Sequence, residues 1–177
     1  MSRRLLAATS LGWLLLAGAV CCSSEESRLN ELDATTVTPR VHVFLIAPLD
    51  GGKQGRSVGC GDSVVPATVT LDRPRPALYG ALEALLAAKG AHDGPTGLSN
   101  PLYASRLTLE RIERKGGEAK VFLSGYVELA DSCDAPRLLA QLTETALQFR
   151  DVQHVQLYLD GKPLRGLLLG AGKPAGG

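Results

Sequence analysis

Blocks of apolar residues, some alternating with polar ones, predict five strands along the chain. A β-branched and aromatic run predicts a buried strand over residues 41–46, and Pro66 indicates an edge or a bulge near the start of the next strand. Two later runs flank Gly116 and Gly117, a pair typical of a tight turn, and therefore predict a hairpin. The predicted strands cover residues 41–46, 64–71, 106–114, 119–124 and 154–159.

Two further stretches carry apolar residues at helical spacing. Leucines recur at i, i+4, i+7 and i+8 from Leu78 to Leu86. A second apolar stripe runs from Leu138 to Phe149, after a predicted N-cap at Asp134. The order is ββαββαβ, and without its first strand it is the βαββαβ arrangement of ferredoxin-like folds. We therefore predict an α+β two-layer sandwich in which both helices cover one face of a sheet.

The first twenty residues have the pattern of a secretory signal. Arg3 and Arg4 precede an apolar run over residues 5–20, which is short for a membrane span of roughly 20 residues. An uncleaved N-terminal anchor is the alternative interpretation. The predicted organisation is a signal peptide at 1–20, a flexible tether at 21–39, a folded domain at 40–165 and a disordered tail at 166–177.

Two adjacent cysteines follow the apolar run. Cys21 and Cys22 resemble the lipobox of bacterial lipoproteins, in which a cysteine thiol is diacylated and becomes the new N-terminus. Cys21 is the favoured lipid anchor and Cys22 is the alternative. Ordinary signal cleavage before the pair would instead leave a secreted or periplasmic protein without an acyl chain.

The other two cysteines, Cys60 and Cys133, lie inside the predicted domain. In an exported chain, two such residues form a disulfide most simply with each other. Closing a loop of about 74 residues would stabilise the fold by about 4–4.5 kcal/mol in the chain-entropy model. A metal site or a catalytic thiol is the competing interpretation, but no histidine lies near either cysteine in the sequence.

Composition and motifs disfavour several classes of function. The chain has 19 Lys+Arg and 18 Asp+Glu, with 5% aromatic residues, which argues against binding of nucleic acid. We find no G-x-S-x-G motif, no P-loop, no dinucleotide-binding glycine motif and no metal-ligand spacing. Ser63 and Ser124 are the serines considered as nucleophiles, without further support. We therefore predict no catalytic residues, no metal and no cofactor.

Four segments, in the order found here, resemble the GerMN domain of sporulation and spore germination proteins. The segments are residues 59–66, 97–103, 133–149 and 155–163. The motif residues within them are Gly59, Gly61, Asp62, Asp134, Pro136, Arg137, Gln141, Thr145, Gln148, Phe149, Asp160 and Gly161. The resemblance implies a fold like the ring-building motif of oligomerising domains, in an extracytoplasmic protein attached to the bacterial membrane. It implies no catalytic residues.

These observations lead to a hypothesis of a non-enzymatic envelope protein, tethered outside the cytoplasmic membrane, that assembles with envelope proteins or with itself. The candidate contact surface is the loop over residues 91–105, with a mobile loop packed by its own apolar residues as the alternative. Its candidate contact residues are Leu98, Asn100, Pro101, Leu102 and Tyr103. The polar face of the second helix, with Gln141, Glu144 and Gln148, is expected to be solvated. A small-ligand or glycan-binding lipoprotein and an envelope hydrolase are the rival hypotheses.

Overall fold

The computed structural model describes residues 39–93 and 96–170, without the side chains of 92 and 93. The predicted signal peptide, the lipid anchor at Cys21 or Cys22, nearly all of the tether and the end of the tail lie outside the described residues. Within the described part of the chain, no helix is long and apolar enough to cross a membrane.

Five strands form the first sheet. Its strands are β1 (Arg40–Ala47), β2 (Arg56–Gly59), β3 (Asp62–Thr70), β4 (His92–Asp93) and β5 (Leu98–Ser99). They follow the spatial order β2-β3-β1-β5-β4, and all neighbours are antiparallel. Strands β1 and β3 pair along their whole length, whereas β5 meets β1 only where Ile46 lies opposite Ser99. Within residues 39–93 and 96–170, most of the second edge of β1 therefore has no strand beside it.

Four strands form the second sheet. They are β6 (Arg106–Lys115), β7 (Glu118–Tyr126), β8 (His154–Leu159) and β9 (Lys162–Pro163), in the order β6-β7-β8-β9. The predicted hairpin is β6–β7, and Gly116 and Gly117 have φ angles of +58° and +82° at its turn. This left-handed backbone is one that glycine adopts without a steric penalty. Strand β8 runs parallel to β7.

Three α-helices complete the fold of the described residues, namely α1 (Ala77–Ala87), α2 (Asp134–Leu147) and α3 (Leu164–Leu169). Helices α1 and α2 contact each other, and both contact strands of the two sheets. Their apolar stripes, represented by the fully buried Leu82 and Leu138, share one core with Val121 of the second sheet. Burial of each such side chain stabilises the fold by about 1.5–3 kcal/mol.

The predicted α+β class and both long helices are confirmed. The prediction of a single sheet is refined, because the strands are hydrogen-bonded in two separate sheets. The physical reason lies at the second edge of β1. There, β5 pairs at Ile46, and side chains of α2 bond the backbone at Phe44 and His42, so no strand of the second sheet can pair with β1.

Two segments hold more secondary structure than the sequence suggested. The predicted loop over 91–105 contains β4, β5 and a 3-10 turn at Pro101–Ala104, where Asn100 Oδ1 accepts a hydrogen bond from Leu102 N at 3.2 Å. The predicted tail from residue 166 begins inside α3. Leu164 of this helix is fully buried and Leu168 packs against the core, which holds the segment on the domain.

Candidate functional site

A disulfide joins two distant segments at one end of the domain. This region is here called the disulfide end, and it comprises Cys60, Cys133 and the neighbouring residues Leu49, Asp62 and Arg137. Cys60 lies between β2 and β3, Cys133 directly precedes α2, and their sulfur atoms are bonded with the Cα atoms 6.1 Å apart. The two residues are separated by 73 positions in the sequence. The pairing predicted from the sequence is therefore present in the structure.

Beside the disulfide, a buried carboxylate holds two segments together. Asp62, the first residue of β3, is fully buried, and it accepts hydrogen bonds from Arg137 Nε at 2.6 Å and from Leu49 N at 2.8 Å. Arg137 Nη1 also lies 3.2 Å from Asp134 Oδ1 and 3.5 Å from Asp131 Oδ2. One guanidinium in the first turn of α2 thus joins three carboxylates.

The charge of Arg137 is fixed by this arrangement. Burial of the guanidinium lowers its pKa, but the hydrogen bonds to Asp62 and Asp134 and the negative charges of Asp62 and Asp131 raise the pKa by more. The pKa of Arg137 therefore lies above its ordinary value. The arginine is a permanent cation that acts as a cross-link.

The N-cap residue of α2 is Cys133 rather than Asp134, and the carboxylate of Asp131 supports the start of the helix. Asp131 Oδ1 accepts from the backbone N–H of Cys133 at 2.7 Å and of Asp134 at 3.1 Å. Asp134 is already inside the helix, and its Oδ2 accepts from Ala130 N at 2.8 Å. The predicted N-cap at Asp134 is wrong, because its carboxylate is engaged by Arg137 and by the preceding loop.

A second carboxylate organises the loop that follows β1. Asp50 accepts hydrogen bonds from the Ser63 hydroxyl at 2.6 Å and from the backbone N–H groups of Gly52 at 3.0 Å and Gln54 at 2.8 Å. The bond from Ser63 is the main reason that the pKa of Asp50 lies below its ordinary value, and the backbone donors add to it against the opposing effect of burial. Ser63 is fully buried, which removes it as a candidate nucleophile.

The loop held by Asp50 and Asp62 presents an apolar side chain to solvent. Leu49 is 82% exposed, the highest value among the exposed large apolar residues of the described chain. Its φ angle is +55°, a left-handed conformation that is uncommon for a bulky residue. Sequence reasoning missed this residue, because leucine carries no local signal for such a backbone.

The candidate contact residues are mostly internal. Leu98, Asn100, Pro101 and Leu102 are buried. Tyr103 is 43% exposed and is the most exposed of the five residues. It lines an open depression together with Pro48 and Asp131, so the structure brings this turn beside the disulfide end. The candidate contact surface is thereby reduced to Tyr103 and its neighbours.

The polar face of α2 is not solvated as predicted. Gln148 Nε2 donates to His42 O at 2.7 Å, and Gln148 Oε1 accepts from His42 N at 2.9 Å. Thr145 Oγ1 accepts from Phe44 N at 3.1 Å, and Gln141 Nε2 donates to Phe44 O at 2.9 Å. These side chains occupy the hydrogen-bonding positions that a neighbouring strand would fill on β1.

The remaining motif residues serve the fold. Glycines 59, 61 and 161 and the turn residue Asp160 all have positive φ angles, which tight turns require. Phe149 packs against the core, and Pro136 lies in the first turn of α2. Ser124 donates to the Glu110 carboxylate on the exposed side of the second sheet. Among the described residues, no group of three or more His, Cys, Asp or Glu side chains is placed to hold a metal ion.

The fold is that of a GerMN domain. The structure of the tandem GerMN domains of the sporulation protein GerM from Bacillus subtilis matches with a TM-score of 0.50 and 17% identity, over 72% of this chain and 41% of that chain. The first GerMN domain of the same protein matches with a TM-score of 0.49 and 22% identity, over 79% of this chain and 92% of that chain.

The family model agrees with the fold. The Germane family, described as sporulation and spore germination, matches residues 50–165. This chain belongs to that family. None of the curated proteins compared with the chain matches it. The chain spans less than half of the tandem-domain structure, so a function that requires two domains does not transfer to it directly.

Proposed function

We propose that this protein is a non-enzymatic, membrane-tethered extracytoplasmic protein whose GerMN domain mediates protein–protein assembly in the cell envelope, for sporulation or germination in an organism that forms spores. The observation that carries the proposal is the contrast within the disulfide end. Its charged groups bond each other and the backbone, whereas Leu49 projects into solvent at 82% exposure. Side chains of a binding site are held in position by the packing and hydrogen bonds around them, and the loop holds Leu49 in this way.

The same geometry gives little support to a hydrolase. A general base needs to reach a substrate proton, and a nucleophile needs an open face. Asp62 and Ser63 are fully buried, and Arg137 is occupied by carboxylates. The buried polar groups at this end therefore act on the protein itself.

A photo-crosslinking experiment tests the assembly function. A photoreactive phenylalanine derivative replaces Leu49 in the full chain, expressed in its own host. The matched control carries the same derivative in place of Tyr126, which is 48% exposed at the end of β7. We expect crosslinked products from position 49 and none from position 126. Equal yields at the two positions, or no product at either, would contradict the proposal.

The extracytoplasmic location is supported by the disulfide, since such bonds persist in oxidising compartments. Membrane attachment is tested by replacing both candidate anchors in the double variant Cys21→Ala, Cys22→Ala. We expect the protein to move from the membrane fraction to the soluble fraction after cell lysis. The control is Ser23→Ala, Ser24→Ala, which changes the same region without removing a thiol. An unchanged distribution of the cysteine variant would reject the lipid anchor.

Binding of a small ligand or glycan is the second candidate function. The observation that favours it is the open depression lined by Tyr103, Ser99 and Asp131, because ligand sites commonly combine an aromatic side chain with a few polar groups. Cell-wall glycan fragments titrated into the protein test this function. We expect a saturable change in the intrinsic fluorescence, and we expect that change to be absent in Tyr103→Leu. The absence of a saturable fluorescence change in the natural chain would exclude ligand binding at this depression.

A further inference from the structure

The loop over residues 48–55 is built to hold Leu49 in a fixed position. The Leu49 N–H is bonded to the buried Asp62, and Gly51 N donates to Gly61 O at 2.8 Å, next to the disulfide. Asp50 bonds two further N–H groups of the same loop. Leu49 has a φ angle of +55°. A left-handed backbone at a bulky residue persists only where the surrounding structure enforces it, and such strain is common at binding sites. The neighbouring Pro48 is exposed as well.

The outer side of α2 carries a depression, in contrast to the projecting side chain of Leu49. A depression of mixed character, here called the α2 depression, lies between α2, β2 and α3. Val58, Leu139 and Leu169 belong to its apolar lining, and Arg56, Thr143 and Arg165 belong to its polar lining. A second depression continues from Leu139, Thr143 and Arg165 to β8. Leu169, on the rim, is 46% exposed, and α3 has no side-chain cap.

The two surfaces differ in charge. Asp131 lies beside Pro48 with its side chain 58% exposed, and the single guanidinium of Arg137 faces three carboxylates there. Arg165 lines both parts of the depression, and within the described chain no carboxylate is paired with it. The projecting Leu49 therefore has an acidic surround. In the depression, Arg56 is paired with Glu144, whereas Arg165 has no carboxylate partner among the described residues.

We propose that Leu49 of one copy inserts into the α2 depression of a second copy, with the carboxylate of Asp131 directed toward the guanidinium of Arg165. This inference rests on the proposed assembly function and names its partner as the chain itself. The contacting surfaces are different parts of the molecule, so the interface is heterologous. Each copy then offers a free Leu49 and a free depression, and association continues head to tail.

The test uses the full chain in a mild non-ionic detergent, followed by sedimentation velocity over a concentration series. We expect the unmodified chain to form species larger than a dimer. Leu49→Gly removes the projection, and because glycine adopts a left-handed backbone readily, its thermal midpoint should equal or exceed that of the unmodified chain. We expect association to weaken about tenfold to a hundredfold, as for loss of one buried leucine side chain.

The depression is tested separately with Arg165→Glu, an exposed position whose replacement leaves the core intact. We expect this variant alone to be monomeric. A mixture of Leu49→Gly and Arg165→Glu should form a dimer and nothing larger, since one variant supplies the depression and the other supplies Leu49. Tyr126→Ser, a loss of apolar surface elsewhere, should associate as the unmodified chain does.

Three results would overturn the inference: an unmodified chain that stays monomeric, a Leu49→Gly variant that associates normally, or a mixture that stays monomeric. Failure of the self-association can be distinguished from failure of the proposed assembly function. A crosslink from position 49 to another envelope protein would leave assembly standing and exclude the second copy. A crosslink to peptides of residues 136–169 in a product of twice the chain mass would support the second copy.

Discussion

The two ends of α2 are fixed to the rest of the domain by different chemistry. At its first turn, Arg137 bonds Asp62 and two further carboxylates beside the Cys60–Cys133 disulfide. This region is the disulfide end. Further along, Gln141, Thr145 and Gln148 bond the backbone of β1, a region that we call the α2–β1 seam. The first uses charges and a covalent bond, and the second uses neutral amide and hydroxyl groups.

The α2–β1 seam supports the fold, whereas the disulfide end supports an exposed surface. The seam is turned inward, and it satisfies backbone groups that would otherwise lack partners at the edge of β1. The disulfide end faces outward, and its bonds fix the loop that carries the exposed Leu49. Charged cross-links give a rigid geometry to a loop that lies outside the core. Changes in the two regions should therefore have different consequences.

The largest expected effect is loss of the disulfide. The double variant Cys60→Ser, Cys133→Ser removes a link between residues 73 positions apart. We expect the free energy of unfolding to fall by about 4 kcal/mol, because the unfolded chain gains conformational entropy. Urea unfolding with and without reductant measures this change. A reduced natural chain should match the double variant, and a natural chain that is insensitive to reductant would contradict the role of the bond.

The next effect is expected at the buried carboxylate. Asp62→Ala leaves Arg137 with only Asp134 and the more distant Asp131, and it leaves the Leu49 N–H unpaired. We expect a loss of about 3 kcal/mol in the free energy of unfolding, as for a buried ion pair that loses one partner.

A matched control for Asp62→Ala is Glu144→Ala. It breaks an exposed ion pair with Arg56, for which we expect a loss of about 0–1 kcal/mol. Hydrogen exchange of the backbone amides over residues 49–54 provides a second readout for Asp62→Ala. We expect faster exchange there and no change along β7. Equal stability of the two variants would show that burial of Asp62 does not matter.

Much of the fold was predictable because it is encoded locally. The stripe from Leu78 to Leu86 and the Gly116–Gly117 turn follow from spacing and from glycine alone. The disulfide was predictable because Cys60 and Cys133 are the two cysteines within the predicted domain. Each of these features depends on residue types and their separation, which the sequence states directly.

The seam and Leu49 were not predictable, for a different reason. Gln148 reaches His42 across 106 positions, and a glutamine on a helix face has the same local pattern whether it meets water or a strand edge. The division into two sheets depends on the same long-range contact. The backbone conformation of Leu49 is held by the bonds of its loop to Asp62 and Asp50, so the residue type at position 49 does not predict that conformation. The site was thus predicted only through its motif residues.

A smaller effect is expected in the seam than at the disulfide end. Gln148→Ala removes two hydrogen bonds to His42, at a place where water has partial access. We expect the free energy of unfolding to fall by about 1–2 kcal/mol, since each neutral bond contributes about 0.5–1.5 kcal/mol. Gln148→Glu is the sharper variant, because a carboxylate can accept from His42 N but cannot donate to His42 O. Its second oxygen would face His42 O and Thr145 O, which both accept from Gln148 Nε2 at 2.7 Å in the natural chain. The glutamate variant should therefore be no more stable than the alanine variant in urea unfolding.

The smallest expected effect is the pH dependence that Asp50 confers on the disulfide end. Its pKa is lowered in the folded protein, chiefly by the Ser63 hydrogen bond. A group of this kind stabilises the fold above its unfolded pKa, near 3.8, and the contribution is lost as the pH falls through the lower folded pKa. Asp50→Asn should therefore reduce stability at neutral pH and make little difference in strong acid, where the natural side chain is protonated. Urea midpoints measured from neutral pH downward should converge for the two proteins.

The control for this titration lies in the seam, where Gln148→Ala removes a side chain that does not titrate. This variant should shift the urea midpoint equally at every pH. If the urea midpoints of Asp50→Asn and of the natural chain differ by the same amount at every pH, Ser63 and the loop N–H groups do not distinguish the charged carboxylate from an amide. The loop that presents Leu49 would then be held by the disulfide and Asp62 alone.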